Sequence, residues 1–472
     1  MGSWTDDESN EAGKEDNLVV EATEDVTYTA NFEEAFYYLT VRANDDAYGS
    51  AEAESGTSSD TTVKVGLNMT ATLRATNKDG YKFVNWTKGE NVVSSDAEYT
   101  VPAIGNAANM ADVEYVANFI EVEAAEAGVY YRIAYDFPAP AAAGSARYYM
   151  QSVASNVTGK ANALLMTQET GAASIFYYAD SKLLSYDKGT YIKEVGNTRG
   201  LQGIGVEGGE VTINTAGETS TIAATSYMHA NSFTSGTNTT YFIDHCGSDN
   251  GDKEHNLVLE EVESLPVTIS AAEHATLYAP VALIIPDGVK AYILKEQNFT
   301  AGTYATMTSL KNGIIPPNTG VILKGAPNNY DFVILDNDDT DVDMARVEAI
   351  GNVLEGTVAA TRVTKDAYIL ASRNGKVGLY PLAGNSYLTP GGATPTFTNN
   401  SHKAYLPVEG NFGEILKNSN GFHFIFDDDN VTDIDGVEAE ETETIYDLQG
   451  RKLSEITEPG IYIVNGKKMF VK

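Results

Sequence analysis

The residues with the most chemical potential in this chain are acidic and aromatic. Asp336-Asn-Asp-Asp-Thr-Asp-Val-Asp343 packs five aspartates into eight residues, and Asp336, Asp338, Asp341 and Asp343 offer the carboxylate oxygens that calcium gathers six to eight at a time. The run lacks the glycine and closing glutamate of an EF-hand loop, so a solvated acidic loop is the plainer reading. Asp427-Asp-Asp429 adds a second acidic cluster at a strand end. Asp244-His245-Cys246, with His255 nearby, holds the only cysteine close to two histidines. It lacks the paired ligand spacing of a zinc site and the context of a Cys/His nucleophile. No HExxH, Gly-x-Ser-x-Gly elbow, P-loop or dinucleotide fingerprint occurs, while carboxylate pairs for glycoside hydrolysis stay open among 66 acidic residues.

Three adjacent aromatic pairs stand out: Tyr130-Tyr131, Tyr148-Tyr149 and Tyr177-Tyr178. Successive strand side chains point to opposite faces, so each pair is expected to send one ring inward and one outward. An outward ring either makes a cross-strand contact, the plainer reading, or stacks on a pyranose. The candidate ligand-binding residues are Tyr131, Tyr149, Gln151 and Tyr178. The candidate metal residues are Asp336, Asp338, Asp341 and Asp343, calcium is the one cofactor left open, and no residue is assigned a catalytic role.

The elements that must position these residues are strands. Glycine (42) and tyrosine (28) are plentiful in the 472 residues, which are 42% hydrophobic, and long helical runs are scarce, so an all-β, multidomain chain of about three domains is expected. A formal charge of −35 without a Lys/Arg stripe excludes nucleic acid as a partner. One cysteine cannot form an intrachain disulfide, and no run reaches the ~18 apolar residues of a transmembrane helix.

An internal repeat opens the chain. Trp4-Thr5 leading to Tyr28-Thr-Ala-Asn-Phe32 matches Trp86-Thr87 leading to Tyr115-Val-Ala-Asn-Phe119, so 1–32 reads as the second half of a repeat seen whole in 33–121. Met1-Gly-Ser3 reads as an expression remnant, and the chain is expected to be the C-terminal part of something longer. The elements Gly80-Tyr-Lys-Phe-Val-Asn-Trp86 and Tyr115 to Phe119 resemble the divergent internalin-type B repeat, a small β-grasp-like spacer of bacterial surface proteins. That likeness implies stalks, with Trp86, Phe83 and Phe119 as shared core.

Residues 128–263 carry many short strands with tight turns, which suggests a β-trefoil or a similar closed β-fold. The series Gly128-Val-Tyr-Tyr-Arg-Ile133, Arg147 to Ser152, Ala173 to Tyr178 and Lys182 to Tyr186 resembles ricin-like trefoil modules. It departs from the sugar-binding members because no tryptophan follows Trp86. Residues 264–430 read as a β-sandwich-like module. Its series from Ala275 through Ile314 to Lys403-Ala-Tyr-Leu-Pro407 resembles a module that precedes type IX secretion tails.

Residues 440–472 hold three alternating apolar runs, Ile445 to Leu448, Ile461 to Val464 and Met469 to Val471, broken by Gln449-Gly450, Pro459-Gly460 and Asn465-Gly466. A three-stranded meander is expected, Asn-Gly being a strong hairpin signal. Tyr446-Asp-Leu-Gln-Gly-Arg451, Gly460-Ile-Tyr462 and Lys467 to Lys472 resemble the C-terminal sorting domain of type IX substrates. That resemblance implies the export machinery as a partner and a secreted or outer-membrane-associated cell-surface location.

The expectation is thus a non-catalytic surface region combining spacer repeats, a glycan-binding module and an export tail. Its alternatives are the accessory region of a glycan-degrading enzyme whose catalytic domain lies upstream, or an adhesin stalk with a host or bacterial surface protein as partner.

Overall fold

The computed structural model describes residues 3–14, 18–21, 25–32, 34–138, 145–195, 200–203, 208–246, 253–296, 299–300, 304–381, 397–408, 421–428, 445–447, 452–453, 460–464 and 467–471. Among them one α-helix, Thr340–Glu348, stands against strands throughout, so the all-β, multidomain class holds. Residues 1–425 form one compact unit and 426–472 another.

Residues 36–121 fold as two sheets over one core. Asn91–Ser94, Tyr81–Lys88, Val113–Glu121, Phe36–Ala43 and Thr62–Gly66 lie side by side in that order, and Glu98–Val101, Ala71–Asn77, Gly49–Ser55 and Ser58–Asp60 form the second sheet. Val113–Glu121 runs parallel to Phe36–Ala43. Phe36–Ala43 alternates strictly, with Tyr37, Leu39, Val41 and Ala43 buried. Trp86 and Phe119 lie at the centre of the core these residues build.

The strand Val129–Pro138 organises the next region. It pairs with Ser145–Ala154, Phe176–Ala179 and Val258–Glu261. From Ser145–Ala154 the ladder continues through Leu164–Thr167, Asn238–Cys246, Tyr227–Ser235 and Thr219–Ala223. A bridge from Ser220 to Leu257 then leads into Val258–Glu261 and back to the starting strand, giving a near-barrel.

Its two faces feed two cores. Tyr131, Ile133, Phe176 and Tyr178 join Met150, Met166 and Ile243 inside the near-barrel. Tyr130, Ile175 and Tyr186 join Leu265, Leu277, Ile293 and Phe332 in a second core, so the chain on either side of residue 263 shares one apolar interior. Polar contacts reinforce the junction. Tyr186 OH donates to Pro266 O (2.9 Å), Ser401 Oγ donates to Tyr186 O (2.8 Å) and Ala360 N donates to Gly189 O (2.8 Å). Gly189 adopts φ +64°, and a Cβ there would lie 2.5 Å from Ala360 N, so only glycine fits.

In the C-terminal unit Ile445–Asp447, Gly460–Val464 and Lys467–Val471 pair antiparallel in succession, as a meander does, and Lys452–Leu453 adds a fourth strand on the far side of Ile445–Asp447. The turn residues Gln449-Gly450, Pro459 and Asn465-Gly466 lie outside the described residues, as does Asp429.

Candidate functional site

The aromatic pairs do not split as alternation alone suggests. Both Tyr130 and Tyr131 are buried, because each face of Val129–Pro138 is covered by a different core. Tyr131 OH donates to Glu126 O (3.2 Å) and Tyr178 OH to Val211 O (3.4 Å). Gln151 is also buried, with Nε2 donating to Tyr149 O and Glu169 O, both at 3.0 Å. Tyr131, Gln151 and Tyr178 are therefore corrected from ligand contacts to interior residues. Tyr149 is half-buried, and its hydroxyl lies 3.4 Å from Glu260 Oε1. That carboxylate is already held by Arg147 Nη1 (2.7 Å), while Arg147 also grips Asp136 through two bonds of 2.9 and 2.7 Å.

The acidic run is corrected in the same way. Asp339 is the N-cap of the helix Thr340–Glu348, its carboxylate accepting from Asp341 N at 2.9 Å. Asp341 and Asp343 fill the first turn, where the helix dipole favours negative charge. Asp343 pairs with Arg346 at 2.7 Å, and Asp336 Oδ1 accepts from Asp338 N at 3.0 Å. These carboxylates serve backbone and helix rather than converging on one point, and no group of three or more His, Cys, Asp or Glu is placed to hold a metal among the described residues.

Asp244 and His245 point to opposite sides of Asn238–Cys246. Buried Asp244 binds Lys160 Nζ at 2.6 Å, with His229 Nδ1 at 3.5 Å. Bonds from His229 and Lys160 outweigh burial and hold the Asp244 carboxyl below its usual range, even though burial is the largest single influence. His245 Nδ1 lies 3.2 Å from Glu194 Oε1 and from Ser226 Oγ, which itself donates to that carboxylate at 2.7 Å. His255 packs on Tyr227 and His229. Alternation turns His245 away from Asp244 and Cys246, and these residues form no metal-holding group among the described residues.

What the fold does assemble is a cleft at the rim of the near-barrel core. Met150 faces Met166, and Met166 faces Tyr241, across Ser145–Ala154, Leu164–Thr167 and Asn238–Cys246. Tyr148, two residues before Met150, shares that face. The rings of Tyr148 and Tyr241 lie 4.2 Å apart at 41°, backed by Phe137. They line an open cavity of about 320 Å³ together with Asn156, Thr167, Gln168, Thr239 and Thr240. Among the described residues no charged side chain lines it. Burial, then Tyr241, holds the Tyr148 phenol above its ordinary pKa, so it stays a neutral hydroxyl. Reasoning from sequence passed over Tyr148 in favour of Tyr149 and gave no weight to Tyr241. Their pairing joins strands about ninety residues apart, and no local spacing announces it.

The double-sheet region of residues 36–121 carries a family match. Residues 39–123 match the family model of the divergent InlB B-repeat domain. The chain contains a B-repeat domain. B repeats are typical of surface proteins, and in this B-repeat domain Trp86 and Phe119 are core rather than ligand platforms. Comparison with curated proteins and with solved structures returns no significant match.

Proposed function

We propose that this chain is a non-catalytic region of a cell-surface protein in which the B-repeat domain is a spacer and the near-barrel binds a glycan. The cleft between Tyr148 and Tyr241 carries the reading. Two half-exposed tyrosine rings offer apolar faces to the C–H face of a pyranose, and the surrounding amide and hydroxyl side chains match sugar hydroxyls. A volume of about 320 Å³ is at the small end of ligand pockets, about 300–1,000 Å³, which suits one or two sugar rings. On this reading the near-barrel is a ricin-like trefoil module whose stacking rings are tyrosines, the C-terminal strands are a type IX export signal, and calcium is not required for binding.

The test is a glycan array with the whole chain, with and without calcium, alongside Tyr148→Ala, Tyr241→Ala and Tyr149→Phe. Binding that weakens about fivefold or more with either alanine variant and survives Tyr149→Phe supports the reading, since loss of one stacking partner is worth about 1 kcal/mol or more. No binding to any glycan, or binding indifferent to both alanine variants at unchanged melting temperature, would sink it.

A further inference from the structure

The B-repeat domain has a partial double within the chain. Glu11–Gly13, Ser3–Thr5 and Thr29–Asn31 form a sheet in that order, the order taken by Asn91–Ser94, Tyr81–Lys88 and Val113–Glu121. The registers coincide: Trp4 faces Ala30 as Trp86 faces Ala117, and Thr5 faces Thr29 as Thr87 faces Val116. Both hairpins skip one residue at the same place, Ala12 in one and Val93 in the other. Asn31 Nδ2 donates to Thr5 Oγ1 (3.0 Å) and Thr29 O (3.4 Å), while Asn118 Nδ2 donates to Thr87 Oγ1 (3.2 Å) and Val116 O (3.5 Å).

The copies differ in what covers them. Phe119 is 1% exposed. Its ring occupies the space a Cβ on Gly49 would need, at 2.5 Å. Its backbone is clasped by Asn44, whose Oδ1 accepts from Phe119 N and whose Nδ2 donates to Phe119 O, both at 2.9 Å. Phe36–Ala43 occupies the far edge of its strand. All of these partners precede residue 81. Phe32, at the place of Phe119, is 90% exposed, and Thr29–Asn31 pairs only with Ser3–Thr5 among the described residues. A free strand edge beside exposed apolar residues is a template for another strand, and the complete copy shows which one.

We propose that the sheet of Glu11–Gly13, Ser3–Thr5 and Thr29–Asn31, with Phe32, is an acceptor for the first half of a B repeat, joined to it in the order in which residues 36–84 precede Asn85. A strand of the Phe36–Ala43 type runs parallel to Thr29–Asn31. A glycine at the place of Gly49 opens the slot for Phe32, and an asparagine at the place of Asn44 clasps its backbone. A second copy of the chain is not the donor, because its own residues 36–77 are already packed on residues 81–121.

The test places a copy of residues 34–84 in front of Ser3 of the whole chain, so that the copied Val84 precedes Ser3 as Val84 precedes Asn85. Amide exchange at residues 29–31 is then expected to slow about tenfold or more, and Trp4 emission to move to shorter wavelength. Phe32→Ser, silent in the unextended chain, lowers the melting temperature of the extended one, and Gly49→Val in the copy alone abolishes the gain. Unchanged exchange at 29–31, an equal effect of Phe32→Ser in both chains, or protection that survives Gly49→Val in the copy would each overturn the proposal.

Discussion

His402 sits where burial and charge conflict. It is 3% exposed, packs against the rings of Tyr130 and Tyr186, and its Nδ1 is 3.0 Å from Tyr278 O. Burial lowers its pKa to about 4, against the hydrogen bond with the Tyr278 carbonyl, and Lys403 adds a smaller push downward. The unfolded chain therefore takes up this proton first. Stability is full above about pH 6.5 and falls as pH drops towards 4, by up to about 3 kcal/mol at about 1.4 kcal/mol per pH unit. His402 has φ +56°, which asparagine also tolerates, so His402→Asn should flatten the decline without breaking the turn. Urea midpoints of both chains at pH 7.5 and pH 5 measure this. Equal declines would show that other groups govern the acid limb.

At the scale of elements, the stretch richest in carboxylates is a helix start. The Asp339 cap bond and the two acidic residues in the first turn stabilise Thr340–Glu348. Glu348 at its other end accepts from Lys311 N and Asn312 N at 3.0 and 3.2 Å. Asp339→Ala should cost about 1 kcal/mol, whereas Asp338→Ala, outside the cap, should cost much less. Calcium should shift neither melting curve. A calcium-dependent rise in melting temperature, lost in Asp338→Ala, would restore the cation reading. The acidic run was legible as a place of concentrated charge, but a helix was not, since one short helix with Val342 and Ala345 as its buried residues leaves little periodicity to read. Strands were easier, because the strict alternation of Phe36–Ala43 is set by the chain's own geometry.

At the scale of the whole molecule, the near-barrel and the residues after 263 share a core through Tyr130, Ile175 and Tyr186. A fragment ending at residue 263 would expose all three side chains. Residues 128–263 alone should melt well below 128–428 and bind a hydrophobic dye, while 128–428 should not; equal melting temperatures would show that the near-barrel folds independently of its neighbour. The chain's order of amino acids was sufficient for the all-β class and for the B-repeat domain. Those depend on local alternation and recurrence, which need no knowledge of neighbours. Which tyrosine of each pair meets solvent, the meeting of Tyr148 with Tyr241, and the fusion across residue 263 depend on what the fold lays over each strand face. Alternation says that two adjacent residues point apart, but only packing says whether the second face is water or another core.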